Sequence, residues 1–573
     1  MVSVKRLVIV GAMLTFFGVL IVGRLFFLQI VSGDYYQTLA ERQQISAQVI
    51  LPRRGEIEFQ KKGKELVSAA TTRSGFLLYV NPSKLENAST TYHVISEIVS
   101  EHGLTIDPEV FFSYAKKEND PFEILLKRVE KPLADQIISA KLPGIGVSAE
   151  EWRFYPFGNL AAQILGFVGF DEAGEIGGQY GLESFYENYL RGKVGFHKGY
   201  QSYGGVFLNF GRQFFDGSAN GDDLILTLDL RVSEELERHL DELVDAWHPR
   251  QAAGLIIEPK TGKILAMAVR PNFDLNNYSG IEDISYFINP LVSSIFELGS
   301  VFKPLTMAFA LDSHIITPDT EYYDAGFVQI GPARIGNYDG KGRGTVDMQE
   351  VLNQSLNTGA VFVAGKLGKE NFLSYIEKFG FDEKTDIDLP GEVIGDISNL
   401  YSNREIEYAS ASFGQGIALT PISFVRAISA LANGGVLVQP YVVERIVKNG
   451  FPDKARSPHE VRRVISEESS LAISRMLATV VDEALMGGGV GPKNYSVAAK
   501  TGTAQIPNKD GKGYSNEFLH AFFGYAPAYG ARFLIFLMLE SPVGVQYASQ
   551  SLGQAFLDLT NFLLHYYEVA PDR

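Results

Sequence analysis

Three short motifs place a serine or a lysine close to a second polar group. In chain order they are Ser300-Val-Phe-Lys303, Ser355-Leu-Asn357 and Lys500-Thr-Gly-Thr503. A serine hydroxyl is a weak nucleophile until a neighbouring base accepts its proton. A lysine in an apolar pocket can act as that base, because burial lowers its pKa. The three motifs therefore predict covalent catalysis by a serine.

The local sequence favours Ser300 as the nucleophile. Gly299 precedes it and an apolar run, residues 305–311, follows it. We therefore expect Ser300 at the N-terminus of a helix, where free N–H groups and the helix dipole stabilise negative charge. Lys303 would lie one turn further along the same face. Taken alone, this motif could also be a helix-capping serine beside an exposed lysine.

The other two motifs could complete the site. Ser355-Leu-Asn357 follows a helix-like stretch, residues 346–352, and could present a hydroxyl and an amide to the same cleft. Lys500-Thr-Gly-Thr503 precedes strand-like sequence, and a strand at the motif would offer its edge to an extended peptide and a cation to a carboxylate. Taken singly, the first could be a loop cap and the second a turn. Their occurrence together and in this order favours a shared active site.

The same patterns recur elsewhere in the chain. Ser113-Tyr-Ala-Lys116 lies in a predicted surface helix, Ser218-Ala-Asn220 in a glycine-rich linker and Lys260-Thr-Gly262 at a tight hairpin turn. These contexts favour solvated or turn-forming roles.

The elements that must position the motifs change character near residues 216–221. Before this linker the periodicity predicts a strand over 75–80 and helices over 92–99 and 108–117. After it, the pattern predicts strands over 224–228, 253–257, 264–269, 521–525 and 533–539, and helices over 231–247 and 550–566. The stretch between the strands over 264–269 and 521–525 is predicted to be predominantly helical. Strands at both ends of a helical middle predict one sheet assembled from distant segments.

Composition narrows the function classes. A chain of 573 residues is expected to form two or more domains. The net charge of −16 argues against nucleic-acid binding. Cysteine is absent, and the nine histidines show no ligand spacing, so no metal site is expected.

The first thirty residues predict a membrane anchor. Lys5 and Arg6 precede an apolar run, and residues 7–29 are long enough to cross a bilayer as one helix. The basic end would stay in the cytoplasm, which places most of the chain outside it. The alternative is a signal peptide cleaved near Val31-Ser32-Gly33.

Together with their flanks, the motifs resemble the class B penicillin-binding proteins. Arg153-Phe-Tyr-Pro156, Gly181-Leu-Glu183, Asp388-Leu-Pro-Gly-Glu392 and Gly414-Gln-Gly416 are similar to landmarks of that class. The resemblance implies an α+β multidomain fold. Its expected parts are a cytoplasmic tail (1–6), a transmembrane helix (7–29), a mixed α/β non-catalytic domain (30–220) and a transpeptidase domain (221–573). The last is expected to have a central antiparallel sheet with helices on both faces and an all-helical subdomain.

The resemblance also implies a reaction, the cross-linking of peptidoglycan stem peptides that end in D-Ala-D-Ala. Ser300 would form the acyl-enzyme, Lys303 would accept its proton, and Ser355 would relay a proton to the leaving amine. Asn357 would hold Lys303 and the donor peptide. The residues expected to bind the terminal carboxylate and line its strand are Lys500, Thr501, Gly502 and Thr503. The N–H groups of residues 300 and 503 would stabilise the oxyanion.

The partners implied are stem peptides, β-lactam antibiotics and a polytopic lipid II glycosyltransferase in the membrane, with no cofactor. A septal role is expected rather than lateral-wall synthesis, and an elongation-type enzyme is the alternative. A β-lactamase, a receptor-like sensor and a scaffold for the glycosyltransferase remain as rivals. Rapid penicillin hydrolysis would favour the first, whereas the short cytoplasmic tail and the intact motifs argue against the other two.

Overall fold

The computed structural model of the chain describes residues 4–26, 45–50, 52–117, 120–171, 174–193, 195–200, 215–216, 220–402, 404–448, 452–508 and 513–573. These divide into two units. One comprises residues 1–53 with 191–221, and the other comprises 54–190 with 222–573.

The strands fall into several sheets. In chain order they are β1 (Ile45–Ile50), β2 (Ile57–Gln60), β3 (Leu66–Val80), β4 (Glu123–Val129), β5 (Ile145–Phe154), β6 (Val168–Phe170), β7 (Ile176–Gly178), β8 (Gly195–Tyr200), β9 (Phe215–Asp216), β10 (Asp223–Asp229), β11 (Gln251–Ile257), β12 (Ile264–Arg270), β13 (Glu321–Asp324), β14 (Phe327–Ile330), β15 (Ala333–Gly336), β16 (Gly344–Asp347), β17 (Val436–Val438), β18 (Val443–Val447), β19 (Lys454–Ala455), β20 (Glu460–Arg463), β21 (Ala498–Pro507), β22 (Tyr514–Ala526) and β23 (Phe533–Glu540).

The helices occupy both ends and the middle of the chain. They are α1 (Val4–Phe26), α2 (Ala88–Ser100), α3 (Pro108–Ala115), α4 (Lys131–Ala140), α5 (Ala162–Leu165), α6 (Gly181–Phe185), α7 (Glu187–Leu190), α8 (Leu230–Trp247), α9 (Pro290–Ser293), α10 (Lys303–Asp312), α11 (Met348–Asn353), α12 (Asn357–Leu367), α13 (Lys369–Lys378), α14 (Glu405–Ala411), α15 (Pro421–Ala432), α16 (Glu467–Thr479) and α17 (Ala548–Tyr566).

The smaller unit holds α1 and a three-stranded antiparallel sheet in the order β1-β8-β9. Within the described ranges, no helix combines the length and the hydropathy that a membrane span requires. The last three residues of the predicted anchor, 27–29, lie outside those ranges.

A five-stranded antiparallel sheet forms the core of the larger unit, in the order β12-β11-β23-β22-β21. This confirms the prediction of one sheet built from sequence-distant segments. Successive residues of β22 point to opposite faces. Phe522 packs in the cluster with Leu236 of α8 and Phe556 of α17. Phe523 packs in the other cluster, where its ring lies 5.9 Å from that of Phe424 in α15.

The region between the two halves of this sheet is mostly helical, as predicted, but the expectation that it is all-helical is wrong. Residues 321–347 form two short antiparallel ladders, β13 with β16 and β14 with β15. The connections between these four strands contain Gly326, Gly331 and Gly340, all with positive φ (87°, 55° and 67°). Such turns let a short chain reverse direction, which helix periodicity does not reveal.

A second sheet joins segments from both sides of the glycine-rich linker. Its order is β19-β18-β10-β2-β3-β4, with β5 also paired to β3. Strand β2 runs parallel to β10, so that Ile57 lies opposite Leu224. The side-chain amide of Gln60 also donates to the carbonyl of Leu226. Residues far apart in the sequence are thus hydrogen-bonded within one sheet.

Candidate active site

Ser300 lies where the prediction placed it, at the start of a helix. A short 3-10 turn, Gly299–Phe302, runs directly into α10, and the Lys303 N–H donates to the Ser300 carbonyl. The apolar run that follows is buried. The helix therefore packs through its side chains while its first turn carries the reactive hydroxyl.

Two glycines allow the Ser300 turn to lie directly against strand β21. A Cβ atom on Gly502 would come within 2.8 Å of the Leu298 carbonyl oxygen and 2.9 Å of the Val301 nitrogen. A Cβ atom on Gly299 would come within 2.8 Å of the Ala504 Cβ. Real Cβ atoms do not approach other atoms so closely, so these positions hold the nucleophile's backbone against the Lys500-Thr-Gly-Thr503 strand.

A single hydroxyl group connects the three motifs. Lys303 Nζ lies 3.2 Å from Ser355 Oγ. Lys500 Nζ donates to the same oxygen at 3.0 Å and to the Thr501 carbonyl at 3.1 Å. The Lys303 amine also donates to the Ser355 backbone carbonyl. Two amines and one hydroxyl thus form a continuous path for a proton.

Both lysines are buried, with 1% exposure for Lys303 and 3% for Lys500. Burial disfavours the charged form of an amine. Desolvation, reinforced by the charge of Lys500, lowers the pKa of Lys303 well below its ordinary value. Desolvation lowers the pKa of Lys500 to about 8. The arrangement favours a neutral Lys303 that can accept a proton beside a Lys500 that can carry a charge.

The backbone holds Ser355 in an uncommon conformation. Its φ angle is +53°, in the left-handed region that non-glycine residues rarely adopt. Such a conformation costs roughly 1–3 kcal/mol and persists only where the surroundings enforce it. It turns both the hydroxyl and the carbonyl of Ser355 toward Lys303.

A buried carboxylate next to this segment supplies the enforcement. Asp324, 1% exposed, accepts hydrogen bonds from the Thr358 hydroxyl at 2.8 Å and from the Asn337 amide at 3.0 and 2.9 Å. It also accepts the Arg343 backbone N–H at 3.0 Å. Because Thr358 follows Asn357 in α12, this network fixes the start of the helix that carries the second motif.

Asn357 lies beside this network, but its observed bond is not to Lys303. Its Nδ2 donates to the Gly336 carbonyl at 2.9 Å. Among the contacts of the described residues, Lys303 bonds to Ser355 and not to Asn357. The structure therefore brings Lys303, Ser355 and Lys500 together and places Asn357 at the adjacent ladder.

Strand β21 presents the carboxylate-binding candidates. Among the strands that the structure describes, it lies at one edge of the five-stranded sheet. Thr503 Oγ1 accepts the Ala548 N–H at 3.0 Å, at the first turn of α17. The Thr503 O–H hydrogen can therefore be donated to a ligand, and an edge strand offers backbone groups to an added peptide.

A buried histidine lies behind this strand. His520 pairs with Thr503 across β21 and β22, and its Nδ1 lies 2.8 Å from the Ser551 hydroxyl of α17. Desolvation lowers the pKa of His520 to about 4. The ring is therefore neutral at neutral pH and connects the sheet to the helix that holds Thr503.

The chain matches two family profiles, one of which contains all the residues of this site. Residues 252–560 match the family described as the penicillin binding protein transpeptidase domain. Residues 49–226 match the penicillin-binding protein dimerisation domain. The chain is a class B penicillin-binding protein.

Relatives agree with this assignment. The chain is 33% identical over 528 residues to the stage V sporulation protein D of Bacillus subtilis, over 91% of this chain and 79% of the relative. It is 26% identical to the peptidoglycan D,D-transpeptidase FtsI homolog of Mesostigma viride, over 99% and 96% of the two chains. The crystal structure of penicillin binding protein 2X from Streptococcus thermophilus matches with a TM-score of 0.74 at 20% identity, over 91% and 80% of the two chains.

This penicillin-binding protein is therefore a serine-type peptidoglycan D,D-transpeptidase that binds β-lactams. The predicted two-domain fold with a mixed α and β transpeptidase domain is confirmed, apart from the all-helical subdomain corrected above.

Two of the three segments that repeat the active-site patterns elsewhere in the chain have the local roles expected of them. Ser113 lies within α3, where its hydroxyl donates to the Val110 carbonyl. Lys260 is exposed in the turn between β11 and β12. The third, at Ser218, lies outside the described residues.

Sequence reasoning missed the groups that support the three motifs. Asp324, Asn337 and His520 belong to no recognised pattern, and they reach the site only through the fold. The one available signal was the position of Thr358 directly after Asn357. A buried hydroxyl at that position needs a partner, but its identity cannot be read from the sequence.

Proposed function

We propose that Ser300 is the acyl-enzyme nucleophile and that Lys303 is its general base. The observation that carries this assignment is the Ser355 hydroxyl shared between Lys303 and Lys500. Ser300 Oγ attacks the carbonyl of the penultimate D-alanine as its proton passes to the neutral Lys303. The backbone N–H groups of Ser300 and Thr503 stabilise the resulting oxyanion.

Collapse of the tetrahedral intermediate then breaks the peptide bond. The proton held by Lys303 passes through the Ser355 hydroxyl to the departing amine, and D-alanine leaves. An amine of a neighbouring stem peptide attacks the ester carbonyl, loses its proton by the reverse path and releases Ser300. The proton transfers between Lys303 and the departing or attacking amine use the contact between Lys303 and the Ser355 hydroxyl.

The donor peptide is proposed to add to the outer edge of β21. Its terminal carboxylate binds the Lys500 cation and the hydroxyls of Thr501 and Thr503, while Gly502 keeps the strand against the nucleophile's turn. The Asn357 amide is proposed to contact the donor backbone through its carbonyl oxygen, while its nitrogen donates one of its two hydrogens to the Gly336 carbonyl.

Covalent labelling tests the nucleophile. Ser300→Ala should abolish labelling by a fluorescent penicillin, because loss of the nucleophile in a serine acyl-transfer enzyme can cost on the order of 10⁶ in rate. Ser113→Ala, which alters the same motif in α3, should label normally. Persistent labelling of the Ser300 variant, located by mass spectrometry of the modified peptide, would refute the assignment.

We also propose that residues 7–29 anchor the protein in the cytoplasmic membrane, with residues 1–6 inside and the catalytic region outside. Lys5 and Arg6 precede the apolar run, and Phe16, Leu20 and Val22 are 63%, 52% and 66% exposed on α1. Exposed apolar residues on one helix mark a surface that contacts a membrane or an apolar surface of another protein. Non-catalytic (30–220) and transpeptidase (221–573) regions follow the anchor.

A polytopic lipid II glycosyltransferase is the proposed partner of this anchor. Replacing residues 7–29 with an unrelated spanning segment should preserve penicillin labelling and weaken co-purification with the glycosyltransferase. If co-purification and glycan polymerisation are both unchanged, the segment serves only as an anchor.

The proposed cellular role is septal peptidoglycan synthesis. Relatives named as FtsI-type D,D-transpeptidases support it. A tagged copy should collect at the division site of growing cells, whereas a lateral-wall pattern would indicate an elongation role. The similarity to a sporulation protein favours a second candidate, synthesis during spore formation, which a signal restricted to sporulating cells would support.

A further inference from the structure

A cationic pocket lies away from the catalytic lysines, where the segments matched by the two family profiles meet. Its volume is about 500 Å³, and its lining includes Arg73, Arg128, Lys131, Trp152 and Asn276. The first four belong to the dimerisation segment and Asn276 belongs to the transpeptidase segment. All lie within the larger of the two units.

Three cations converge on this pocket in a protein whose net charge is −16. Arg73, Arg128 and Lys131 are exposed, and none of them forms an ion pair with another residue that the structure describes. One acid, Glu130, also lines the pocket. It precedes α4 without capping that helix through its side chain, so the positive end of the helix dipole adds to the cationic character.

An aromatic surface lies beside these charges. Trp152 pairs with Arg73 across β3 and β5. The indole packs over Gly75, where a Cβ atom would come within 2.8 Å of Trp152 Cζ3. The Arg73 guanidinium lies 3.4 Å from the centroid of the Phe154 ring. A glycine beneath the indole and an arginine on the neighbouring ring hold the aromatic groups in place.

The backbone at Arg128 is also specialised. Its φ angle is +58°, its N–H donates to Glu150 at 2.6 Å and its guanidinium donates to the Asn276 carbonyl at 3.2 Å. Ser74, another lining residue, donates its hydroxyl to Glu151 at 3.1 Å. A left-handed conformation at an arginine is uncommon, and here it directs the side chain across the junction between the segments.

We propose that this pocket binds the glycan part of un-cross-linked peptidoglycan. The aromatic face would stack on an amino-sugar ring, and the three cations would bind carboxylates of the stem peptides attached to that glycan. The peptidoglycan on which this transpeptidase acts contains both amino sugars and carboxylates. These two groups match the aromatic surface and the cations of the pocket. The inference rests on the transpeptidase activity and not on the roles proposed for individual catalytic residues.

Binding by the full-length chain in detergent tests the proposal. The probe is a fluorescent, soluble, un-cross-linked glycan strand with pentapeptide stems, and its Kd is measured by anisotropy in a Ser300→Ala background. Arg73→Glu and Trp152→Ala should each weaken binding by tenfold or more. Lys127→Ala, which alters an exposed cation on β4 outside the pocket, should leave the Kd unchanged. A neutral chitin oligomer should bind at least tenfold more weakly than the strand.

Enzymatic readouts separate this pocket from the catalytic site. With Ser300 present, Arg73→Glu should raise the KM for glycan-linked substrate while the rate of acylation by penicillin stays the same. If Trp152→Ala fails to fold, the exposed position Arg73 decides the question alone. Unchanged strand binding in Arg73→Glu would overturn the proposal. Loss of binding to phosphatidylglycerol vesicles with unchanged strand binding would also overturn it, since the pocket would then serve a lipid headgroup.

Discussion

Replacement of Lys500 by methionine should change the pH dependence of acylation. Methionine removes the charge and keeps much of the side-chain volume in the buried site. In the native protein, desolvation is the main cause that lowers the pKa of Lys303, and the charge of Lys500 lowers it further. Removing that charge should therefore raise the pKa of Lys303, although burial keeps it below its ordinary value.

The magnitude follows from the geometry. Lys303 Nζ and Lys500 Nζ lie 3.2 and 3.0 Å from one oxygen atom, so they cannot be more than about 6 Å apart. At an effective dielectric constant of about 20, two unit charges at that distance repel by roughly 3 kcal/mol. Removing this repulsion should raise the pKa of Lys303 and shift the loss of acylation to higher pH. A smaller change is expected if Lys500 is partly neutral at the working pH, because its own pKa is lowered to about 8.

The sign of the effect is fixed by the role of Lys303. A general base works in its neutral form, so acylation is full above its pKa and is lost as the pH falls through it. Raising the pKa moves this loss to higher pH. The assay is the first-order acylation rate at saturating fluorescent penicillin, measured by stopped flow from pH 5 to pH 9. At saturation, weaker binding of the penicillin carboxylate no longer affects the rate, so the profile reports the protonation of Lys303.

Lys260→Met, at the exposed hairpin turn, is the matched control and should reproduce the native profile. An acid limb of Lys500→Met that stays in place or moves to lower pH would refute the electrostatic coupling between the two lysines.

Three further substitutions test the supports of the site. Gly502→Ala should slow acylation at least tenfold, because its Cβ would meet the Leu298 carbonyl oxygen at 2.8 Å. The control Gly365→Ala has open space around its Cβ and should acylate normally, so equal rates for the two variants would exclude the steric argument. Asp324→Asn should lower the free energy of unfolding, measured by urea denaturation, by about 2 kcal/mol, because it weakens hydrogen bonds to a buried carboxylate. An unchanged free energy of unfolding would show that the hydrogen bonds of Asp324 do not hold Thr358. Thr503→Val should slow acylation by carboxylate-bearing β-lactams, since it removes the donated O–H, while Thr261→Val should not; matching rates would remove Thr503 from the carboxylate site.

The sequence predicted most of the architecture around the site. The spacing of apolar residues located α8, α17 and the strands of the five-stranded sheet, because each of these elements buries one regular stripe or alternates between two faces. The start of α10 was predicted for a local reason, the glycine and apolar run around Ser300. These features depend on residues close together in the chain.

The rest depends on contacts between distant residues. The ladders within 321–347 are short and half-exposed, so their periodicity is too weak to separate them from loops. Asp324 accepts a hydrogen bond from Thr358, 34 positions away, and His520 is hydrogen-bonded to Ser551, 31 positions away. No local pattern records such pairs. The bond of Asn357 to Gly336, in place of the expected contact with Lys303, has the same origin.

The parallel pairing of β2 with β10 has a consequence for any attempt to produce the catalytic region alone. A recombinant fragment cut at the linker would retain β10 but lose β2, leaving the backbone groups and apolar side chains of Leu224 and Leu226 on an open edge. Open edges of this kind recruit strands from other molecules and cause aggregation. The fragment that preserves the sheet begins at or before Arg54. For the same reason, β2 cannot complete this pairing during synthesis until β10, more than 160 residues later in the chain, has also left the ribosome.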